Sequence, residues 1–184
     1  LWSAAACCRF GRACDKKAAA SRRTPKRCGA EKARLRPMPK IALSSDANAW
    51  RITLDDPPLH ILDIAMLEEL REALGRVAND RHALILDASG DRAFSAGVSV
   101  QDHLGDLAPA MLRHFHDCFR ILARLDLVTV ALVRGPALGG GCELALACDF
   151  VLASDRARFG VPEIQLGVFP PVAASQLARQ LAPP

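Results

Sequence analysis

Apolar and polar positions alternate along residues 41–184 in an order that predicts strands and helices in turn. Short apolar or alternating runs predict β-strands, and these are Trp50–Leu54, Ala83–Ala88, Val128–Val133 and Phe150–Ala153. Longer runs with a helical period predict α-helices, and these are Ile64–Val77, Pro109–Leu125, Gly141–Cys148 and Gln176–Leu181. Strands that alternate with helices favour an α/β layered fold with parallel pairing.

Two of the predicted helices carry a clear apolar face, which we expect to be buried. In the first, the residues on that face are Leu67, Leu70, Leu74 and Val77. In the second, the face repeats at i, i+4, i+7 and i+11, and its residues are Met111, Phe115, Cys118 and Leu122.

Residues 1–40 differ from the rest of the chain in charge. They contain 12 Lys/Arg and two Asp/Glu, a net charge of +10, whereas residues 41–184 have a net charge of −6. With no sustained period, residues 1–40 are predicted to be a disordered basic arm, followed by one domain over 41–184. Three interpretations of the arm stay open: translation from upstream of a start at Met38, a transit peptide, and a native arm that binds nucleic acid or anionic surfaces. Sparse aromatic residues in the arm, Trp2 and Phe10, make nucleic-acid binding the less favoured partner.

Cysteine and hydropathy bear on the compartment. Four of the seven cysteines lie in the arm, without a CxxC pair or a histidine in residues 1–40, which argues against a zinc site. The other three, Cys118, Cys142 and Cys148, fall in apolar helical contexts and are predicted to be buried free thiols of a reducing compartment. No apolar run approaches the roughly 18–20 residues of a membrane helix, so no membrane partner is expected. Residues 1–40 also lack the uninterrupted apolar stretch of a secretory signal, so a cytoplasmic protein is expected.

Two glycine-containing loops are the candidates for chemistry. The first is Phe94–Val100, after a predicted strand, and the second is Gly135–Leu144, between a strand and a helix. Gly139, Gly140 and Gly141 at a helix start allow close approach of a ligand to backbone N–H groups at the positive end of the helix dipole. Such a site suits an oxygen that becomes anionic during a reaction. Because no Lys-Ser/Thr follows the glycines, a phosphate-binding P-loop is excluded.

Two acidic residues are candidates for proton transfer. Glu143 lies in the first turn of the helix that follows the glycines, and Glu163 stands alone in the apolar segment Phe159–Ile164. From the residues alone, Glu143 could serve only the helix dipole, and Glu163 could be a solvated loop acid.

Taken together and in this order, the motifs FSAG, GPALGGGCELALACD and FGVPEIQLG resemble the crotonase (enoyl-CoA hydratase/isomerase) family. The resemblance extends over roughly residues 50–171. It implies a crotonase-like α/β fold, a spiral of ββα units. The predicted helix at residues 176–181 begins just before the chain stops, so we expect a C-terminally truncated domain. The resemblance also implies an acyl-CoA substrate, assembly as a homo-oligomer (a trimer or a hexamer) and no metal or redox cofactor, since coenzyme A is part of the substrate.

The resemblance also implies roles for individual residues. The backbone N–H groups of Val98 and Gly140 would form an oxyanion hole, and Glu143 and Glu163 would be the catalytic carboxylates. The residues implied in substrate binding are Ala96, Gly97, Gly139 and Gly141. In this hypothesis Glu163 is the principal proton donor and Glu143 orients and activates the water. Apolar neighbours such as Phe159 and Val161 are expected to disfavour charge on one carboxylate.

The expected reaction is hydration of an enoyl-CoA, which makes the chain a lyase. Segments Pro57–Met66, Val98–His103, Phe115–Phe119 and Gly167–Ala174 resemble cyclohexa-1,5-diene-1-carbonyl-CoA hydratases more narrowly, which implies a cyclic dienoyl-CoA substrate. A generic enoyl-CoA hydratase, an isomerase of the same fold, and a non-catalytic fragment or basic-arm nucleic-acid binder stay open as alternatives.

Four histidines need separate interpretation. His60 stands where the family often has Asn, and is predicted to be a structural replacement; Ser99 stands where the family often has Asp. His103, His114 and His116 could suggest a metal cluster, but His114 and His116 face different sides of a helix. His116 is therefore expected in the core or in the lining of a pocket.

Overall fold

The computed structural model describes residues 38–180, with side chains described up to Ser175. Most of the predicted basic arm, residues 1–37, lies outside the described residues. Lys40, at the end of that predicted arm, is attached to the domain: its Nζ pairs with Asp56 at 2.9 Å and with Asp63 at 2.6 Å. Its backbone N–H donates to Glu69 at 2.7 Å.

A five-stranded sheet forms the centre of the domain, in the order β1-β2-β3-β4-β6. Its strands are β1 (Ile41–Ser45), β2 (Ala49–Leu54), β3 (Ala83–Ala88), β4 (Val128–Val133) and β6 (Phe150–Ala153). The β1–β2 pair is antiparallel and every other pair is parallel. A second, two-stranded parallel sheet joins β5 (Pro136–Leu138) to β7 (Arg158–Gly160).

The helices pack on this sheet through the faces that the sequence predicts. They are α1 (Ile64–Arg76), α2 (Ala108–Leu122), α3 (Gly140–Leu146) and α4 (Pro171–Gln180), with 3-10 segments at Gln101–His103, Gly105–Leu107 and Pro162–Leu166. All eight residues of the two predicted apolar faces are buried, and the side chain of Asp63 caps α1 by accepting from the Met66 N–H at 2.8 Å. The predicted α/β class with parallel pairing is therefore confirmed.

Some boundaries differ from the sequence predictions. Helix α4 begins at Pro171, five residues before the predicted start, because proline is accommodated in the first turn of a helix. Strands β1, β5 and β7 were not predicted, and two of them have only three residues each. Within the described residues, no helix combines the length and the apolar character needed to cross a bilayer.

The outer face of β6 is apolar and exposed. Phe150 and Leu152 retain 60% and 61% of their accessible surface, and Val128 on the neighbouring strand retains 46%. In the parallel register Phe150 lies opposite Val130 and Leu152 opposite Leu132, so these side chains form one continuous face. Apolar patches of this kind commonly mark contact surfaces.

Candidate active site

The two glycine-containing loops leave neighbouring parallel strands and run side by side. The first follows β3 and the second follows β4, and loops at the carboxyl ends of parallel strands meet at one edge of a sheet. Ser95 and Ala137 form a parallel bridge between them. The Phe94 N–H donates to the Pro136 carbonyl at 2.9 Å, and the Leu138 N–H donates to the Ser95 carbonyl at 2.9 Å. Residues 42 positions apart in sequence, such as Ser95 and Ala137, are thus held in a fixed register.

The Val98 N–H points away from Leu62, the residue with which Val98 forms a parallel bridge. Leu62 donates to the Gly97 carbonyl at 2.9 Å and accepts from the Ser99 N–H at 3.2 Å. Because both flanking residues bond to Leu62, the N–H of Val98 lies on the opposite side of the extended backbone. In the part of the chain that the structure describes, this N–H donates to no protein acceptor.

The Gly140 amide is the first of helix α3, and first-turn N–H groups have no acceptor within their own helix. The preceding residue, Gly139, has φ of +52°, a conformation that favours glycine and that turns the chain into the helix. Among the described residues, the Gly140 N–H likewise donates to no protein acceptor, whereas the Gly139 N–H donates to the Gly160 carbonyl at 2.8 Å. Gly140 therefore contributes a free donor at the helix start.

The two amide-bearing segments touch each other. A Cβ placed on Gly140 would lie 2.6 Å from Cγ2 of Val98, and one placed on Gly97 would lie 2.8 Å from the Leu138 carbonyl oxygen and 3.4 Å from the Gly140 nitrogen. Gly97 itself has φ of +99°. Only glycine fits both the conformation and the space at position 97.

A cavity of about 510 Å³ lies against these segments. Val98, Gly140, Glu143 and Glu163 all line it. The remaining lining is largely apolar, and its residues are Ala108, Met111, Leu112, Phe115, Gly167, Val168, Phe169, Pro170 and Pro171, with His103 and His116. The residues predicted as oxyanion donors and as catalytic acids thus line the same cavity.

Glu143 is almost completely buried, with 3% of its surface accessible. Its Oε1 accepts from the backbone N–H of Ala173, in the first turn of α4, at 2.7 Å. Burial raises the pKa of Glu143 above its ordinary value, and the nearby negative charge of Glu163 raises it further, against the opposing effect of the Ala173 hydrogen bond. Glu143 is the carboxylate on which the protein disfavours charge.

Glu163 lies at the start of the 3-10 segment Pro162–Leu166. Its Oε1 is close enough to Gly139 that a Cβ there would approach it to 2.7 Å. Its Oε2 is buried and, among the described residues, has no hydrogen-bond partner. A buried carboxylate oxygen without a partner is costly unless another group completes its hydrogen bonding, so this atom is available to a molecule in the cavity.

Four residues predicted to bind substrate lie beside the cavity and are not among its lining residues. The Ala96 N–H donates to the Leu59 carbonyl at 2.8 Å, Gly97 packs against Leu138, and Gly139 pairs with Gly160. A Cβ on Gly141 would lie 2.6 Å from the Cβ of Ser95. Their assignment to substrate binding stays a prediction.

The apolar surroundings of the acids come from residues other than those expected. Phe159 retains 45% exposure, because it belongs to the short edge strand β7. The cavity is lined instead by Met111 and Phe115 of α2 and by Phe169 before α4. The sequence signal that could have found Phe169 is the apolar segment that leads into Pro170-Pro171. Pro171 begins α4, the helix whose Ala173 N–H donates to the Glu143 side chain.

The histidines occupy different environments. His60 is 1% exposed, its Nδ1 accepts from the Asp56 N–H at 3.1 Å, and its Nε2 lies 3.0 Å from the Ser89 carbonyl. Both ring nitrogens therefore serve the backbone, as a structural replacement requires. His116 lines the cavity, as predicted, and so does His103, while His114 lies 3.4 Å from Glu68. Within the described range, no group of three or more His, Cys, Asp or Glu side chains is arranged to hold a metal ion.

Cys118, Cys142 and Cys148 are buried free thiols, as predicted. Burial raises the pKa of Cys118 and of Cys148 to about 12.

Comparison with known proteins identifies the class of fold first. The domain superimposes on the solved structure of Pseudomonas aeruginosa DspI with a TM-score of 0.71 at 30% identity, over 81% of this chain and 59% of that one. An enoyl-CoA hydratase/carnithine racemase from Magnetospirillum magneticum gives a TM-score of 0.72 at 27% identity, over 79% of this chain and 58% of that one. The fold is therefore the crotonase fold.

The family model for enoyl-CoA hydratase/isomerase matches residues 45–183. The chain is 39% identical over 140 residues to a cyclohexa-1,5-dienecarbonyl-CoA hydratase of Thauera aromatica, covering 75% of this chain and 54% of that protein. It is 41% identical over 140 residues to a probable enoyl-CoA hydratase of Rhizobium meliloti, covering 74% and 54%. The chain belongs to the enoyl-CoA hydratase/isomerase family, and it spans about half the length of these curated relatives.

Proposed function

We propose that the protein hydrates the double bond of an enoyl-CoA thioester, with a cyclic dienoyl-CoA as the narrower candidate substrate. The observation that carries this proposal is that Val98 and Gly140, whose backbone N–H groups have no acceptor among the described residues, line one cavity together with the carboxylates Glu143 and Glu163. The similarity to the Thauera aromatica dienoyl-CoA hydratase supports the cyclic substrate.

The chemistry follows from these four groups. When water adds to the β-carbon, the electron pair of the double bond moves toward the thioester carbonyl and its oxygen gains negative charge. The Val98 and Gly140 N–H groups would stabilise that charge, and loss of one such donor typically costs about 10²–10³ in rate. Since the amides supply this stabilisation, the reaction needs no metal or redox cofactor, and coenzyme A enters as part of the substrate.

The proton transfers fall to the two acids. The two acids carry one proton between them: in the reacting state Glu163 holds that proton and Glu143 is ionised. Water loses a proton to Glu143 as its oxygen attacks, and the α-carbon gains a proton from Glu163. A general base works best when its pKa lies nearer the working pH than that of an ordinary carboxylate. The raised pKa of Glu143 supports its assignment as the group that accepts the proton from water. The unpaired Oε2 of Glu163 supports its assignment as the donor that faces the substrate.

The test is a product assay on matched thioesters. We expect the protein to convert crotonyl-CoA, a 2-enoyl thioester, to the 3-hydroxyacyl product, and to leave the corresponding 3-enoyl thioester unchanged. Cyclohexa-1,5-diene-1-carbonyl-CoA supplied in parallel decides between the general and the cyclic substrate. Movement of the double bond in the 3-enoyl thioester would assign the isomerase reaction instead, and turnover of none of the three would contradict the proposal.

We also propose a cytoplasmic homo-oligomer, a trimer or a hexamer, that does not bind nucleic acid. The exposed apolar face of Phe150 and Leu152 supports a contact between copies. Light scattering after size exclusion measures the assembly, and a strict monomer would contradict it. Salt-dependent DNA binding by the whole chain that is lost on removal of residues 1–37 would instead assign the arm to nucleic acid.

A further inference from the structure

Ser95 lies at the point where the two amide-bearing segments and the His60 turn meet. It is fully buried, with 0% of its surface accessible, and it does not line the cavity. Its backbone N–H donates to Pro136 at 3.3 Å and its carbonyl accepts from Leu138 at 2.9 Å, so its main chain belongs to the pairing between the loops. This pairing leaves the hydroxyl free for a separate purpose.

The hydroxyl makes two hydrogen bonds in opposite senses. It donates to the His60 carbonyl at 2.8 Å and accepts from the Gly97 N–H at 3.1 Å. The Gly97 N–H begins the residue whose φ is +99° and whose carbonyl accepts from Leu62. The next peptide along the chain carries the Val98 N–H, so the bond from the Ser95 hydroxyl restricts the backbone immediately before that donor.

His60 provides the carbonyl that accepts from the Ser95 hydroxyl, and its own position is fixed by further contacts. His60 has φ of +48°, a conformation that a non-glycine residue adopts at a cost in backbone strain. Its ring bonds to the Asp56 N–H and the Ser89 carbonyl. These bonds hold the residue in that conformation and fix the direction of its carbonyl toward Ser95.

The other side of Ser95 packs against the first turn of helix α3. A Cβ on Gly141 would lie 2.6 Å from the Ser95 Cβ and 2.8 Å from its hydroxyl oxygen. Gly141 directly follows Gly140, whose N–H is the second free donor. Ser95 therefore touches the segment of each amide, through a hydrogen bond on one side and through packing on the other.

We propose that Ser95 is a positioning residue that sets the direction of the Val98 amide relative to the Gly140 amide, with His60 as its anchor. The inference rests on the proposed function, since it concerns the same two donors. A hydrogen-bond donor in a preorganised site loses effect when it is misaligned, and small displacements cost about 10- to 100-fold in rate. Loss of the hydroxyl should therefore weaken polarisation of the thioester carbonyl without removing any group that touches the substrate.

The test compares Ser95→Ala with Thr129→Val. Thr129 provides a matched control because its buried hydroxyl also donates once, to Asp149 at 2.8 Å, and accepts once, from the Asp149 N–H at 2.9 Å. It lies at the start of β4, at the opposite end of that strand from the glycine loop. Both substitutions remove one donated and one accepted hydrogen bond, so a purely structural effect should appear in both.

The main readout is the absorption band of a bound arylacryloyl-CoA with an electron-donating para substituent, because this band moves to longer wavelength when the carbonyl oxygen accepts hydrogen bonds. We expect the wild-type protein and Thr129→Val to give the same red shift and Ser95→Ala a smaller one. With crotonyl-CoA, we expect kcat of Ser95→Ala to fall about 10- to 100-fold, with KM changed by less than about threefold.

If Ser95→Ala does not fold, Ser95→Cys replaces the hydroxyl by a weaker donor and acceptor, and an intermediate shift is expected. A folded variant whose red shift and kcat match those of Thr129→Val would overturn the positioning role. Absence of a red shift in the wild-type protein itself would instead overturn the proposed function, and the positioning role with it. The two failures are thus distinguished by the wild-type spectrum.

Discussion

Glu143 and Ala173 are joined by a 2.7 Å hydrogen bond between the side chain of one helix and the first turn of another. This bond connects α3, which begins at the glycine loop, to α4, which begins at the lining residue Pro171. Glu163, in the segment between β7 and α4, has no equivalent anchor on its Oε2 among the described residues. The two acids of the cavity therefore differ in both restraint and solvation, as two acids with different tasks require.

Replacement of either acid by its amide should remove hydration. Glu143→Gln and Glu163→Gln keep the size of each side chain but cannot exchange a proton, and we expect kcat to fall about 10²–10⁴-fold in each. The measurement is the rate of crotonyl-CoA hydration, monitored as the loss of the absorbance of the conjugated enoyl thioester. Glu72→Gln on the exposed side of α1 is the control, and it should retain wild-type activity. Full activity in either active-site variant would remove that residue from the mechanism.

The raised pKa of Glu143 predicts a pH-dependent difference in stability between Glu143→Gln and the wild type. The folded protein holds the Glu143 proton more strongly than the unfolded chain does, so its contribution to stability is present below the unfolded pKa of 4.5 and is lost as the pH rises through the raised folded pKa. The variant cannot titrate at this position. Its free energy of unfolding, measured in urea, should rise relative to that of the wild type from pH 4 to neutral pH.

The same measurement on Glu163→Gln tests the cause of the shift. Since the charge of Glu163 helps to raise the pKa of Glu143, its removal should lower that pKa and move the Glu143-dependent loss of stability to lower pH. A Glu143→Gln stability difference that does not change with pH would show that burial does not perturb this group.

The pKa of about 12 at Cys118 and Cys148 predicts slow alkylation in the folded state. The thiolate is the reactive form, and at pH 8 these two thiols are almost entirely protonated. Iodoacetamide treatment followed by peptide mass spectrometry should leave both residues unlabelled in the native protein and label both in denaturant. Rapid native labelling of Cys118 would be inconsistent with its burial on the inner face of α2.

The elements that the sequence predicted well are those whose apolar periodicity is long enough to be unambiguous. The α1 and α2 faces and the strands β3, β4 and β6 were predicted at or near their observed bounds, because burial against the sheet selects the same residues that define the pattern. Strands β5 and β7 were missed because three residues carry no measurable alternation. They exist through pairing with each other across a sequence gap.

The candidate site divides in the same way. The sequence motifs predicted four site residues that line one cavity in the structure, namely Val98, Gly140, Glu143 and Glu163. The anchor of Glu143 could not be predicted, because the donor is a backbone N–H of Ala173 and a main-chain group leaves no mark in the side-chain pattern. The proposed positioning role of Ser95 could not be predicted for a similar reason, because its hydroxyl bonds to two backbone groups, the His60 carbonyl and the Gly97 N–H.

Alanine at Gly141 should destabilise the domain because the space for a side chain is already filled. A Cβ there would lie 2.6 Å from the Ser95 Cβ and 2.8 Å from its carbonyl oxygen, and backbone cannot move aside cheaply. Overpacking of this kind costs about 1–3 kcal/mol. Gly75→Ala is the matched control, because nothing lies within 4 Å of a Cβ at that position in α1.

In the control, alanine should instead raise the free energy of unfolding by about 0.5–1 kcal/mol, since glycine is the poorer helix former. Urea denaturation of the two variants measures both effects, and opposite signs are expected. Equal stability in Gly141→Ala and the wild type would mean that the glycine loop and the Ser95 segment are less tightly packed than these distances indicate.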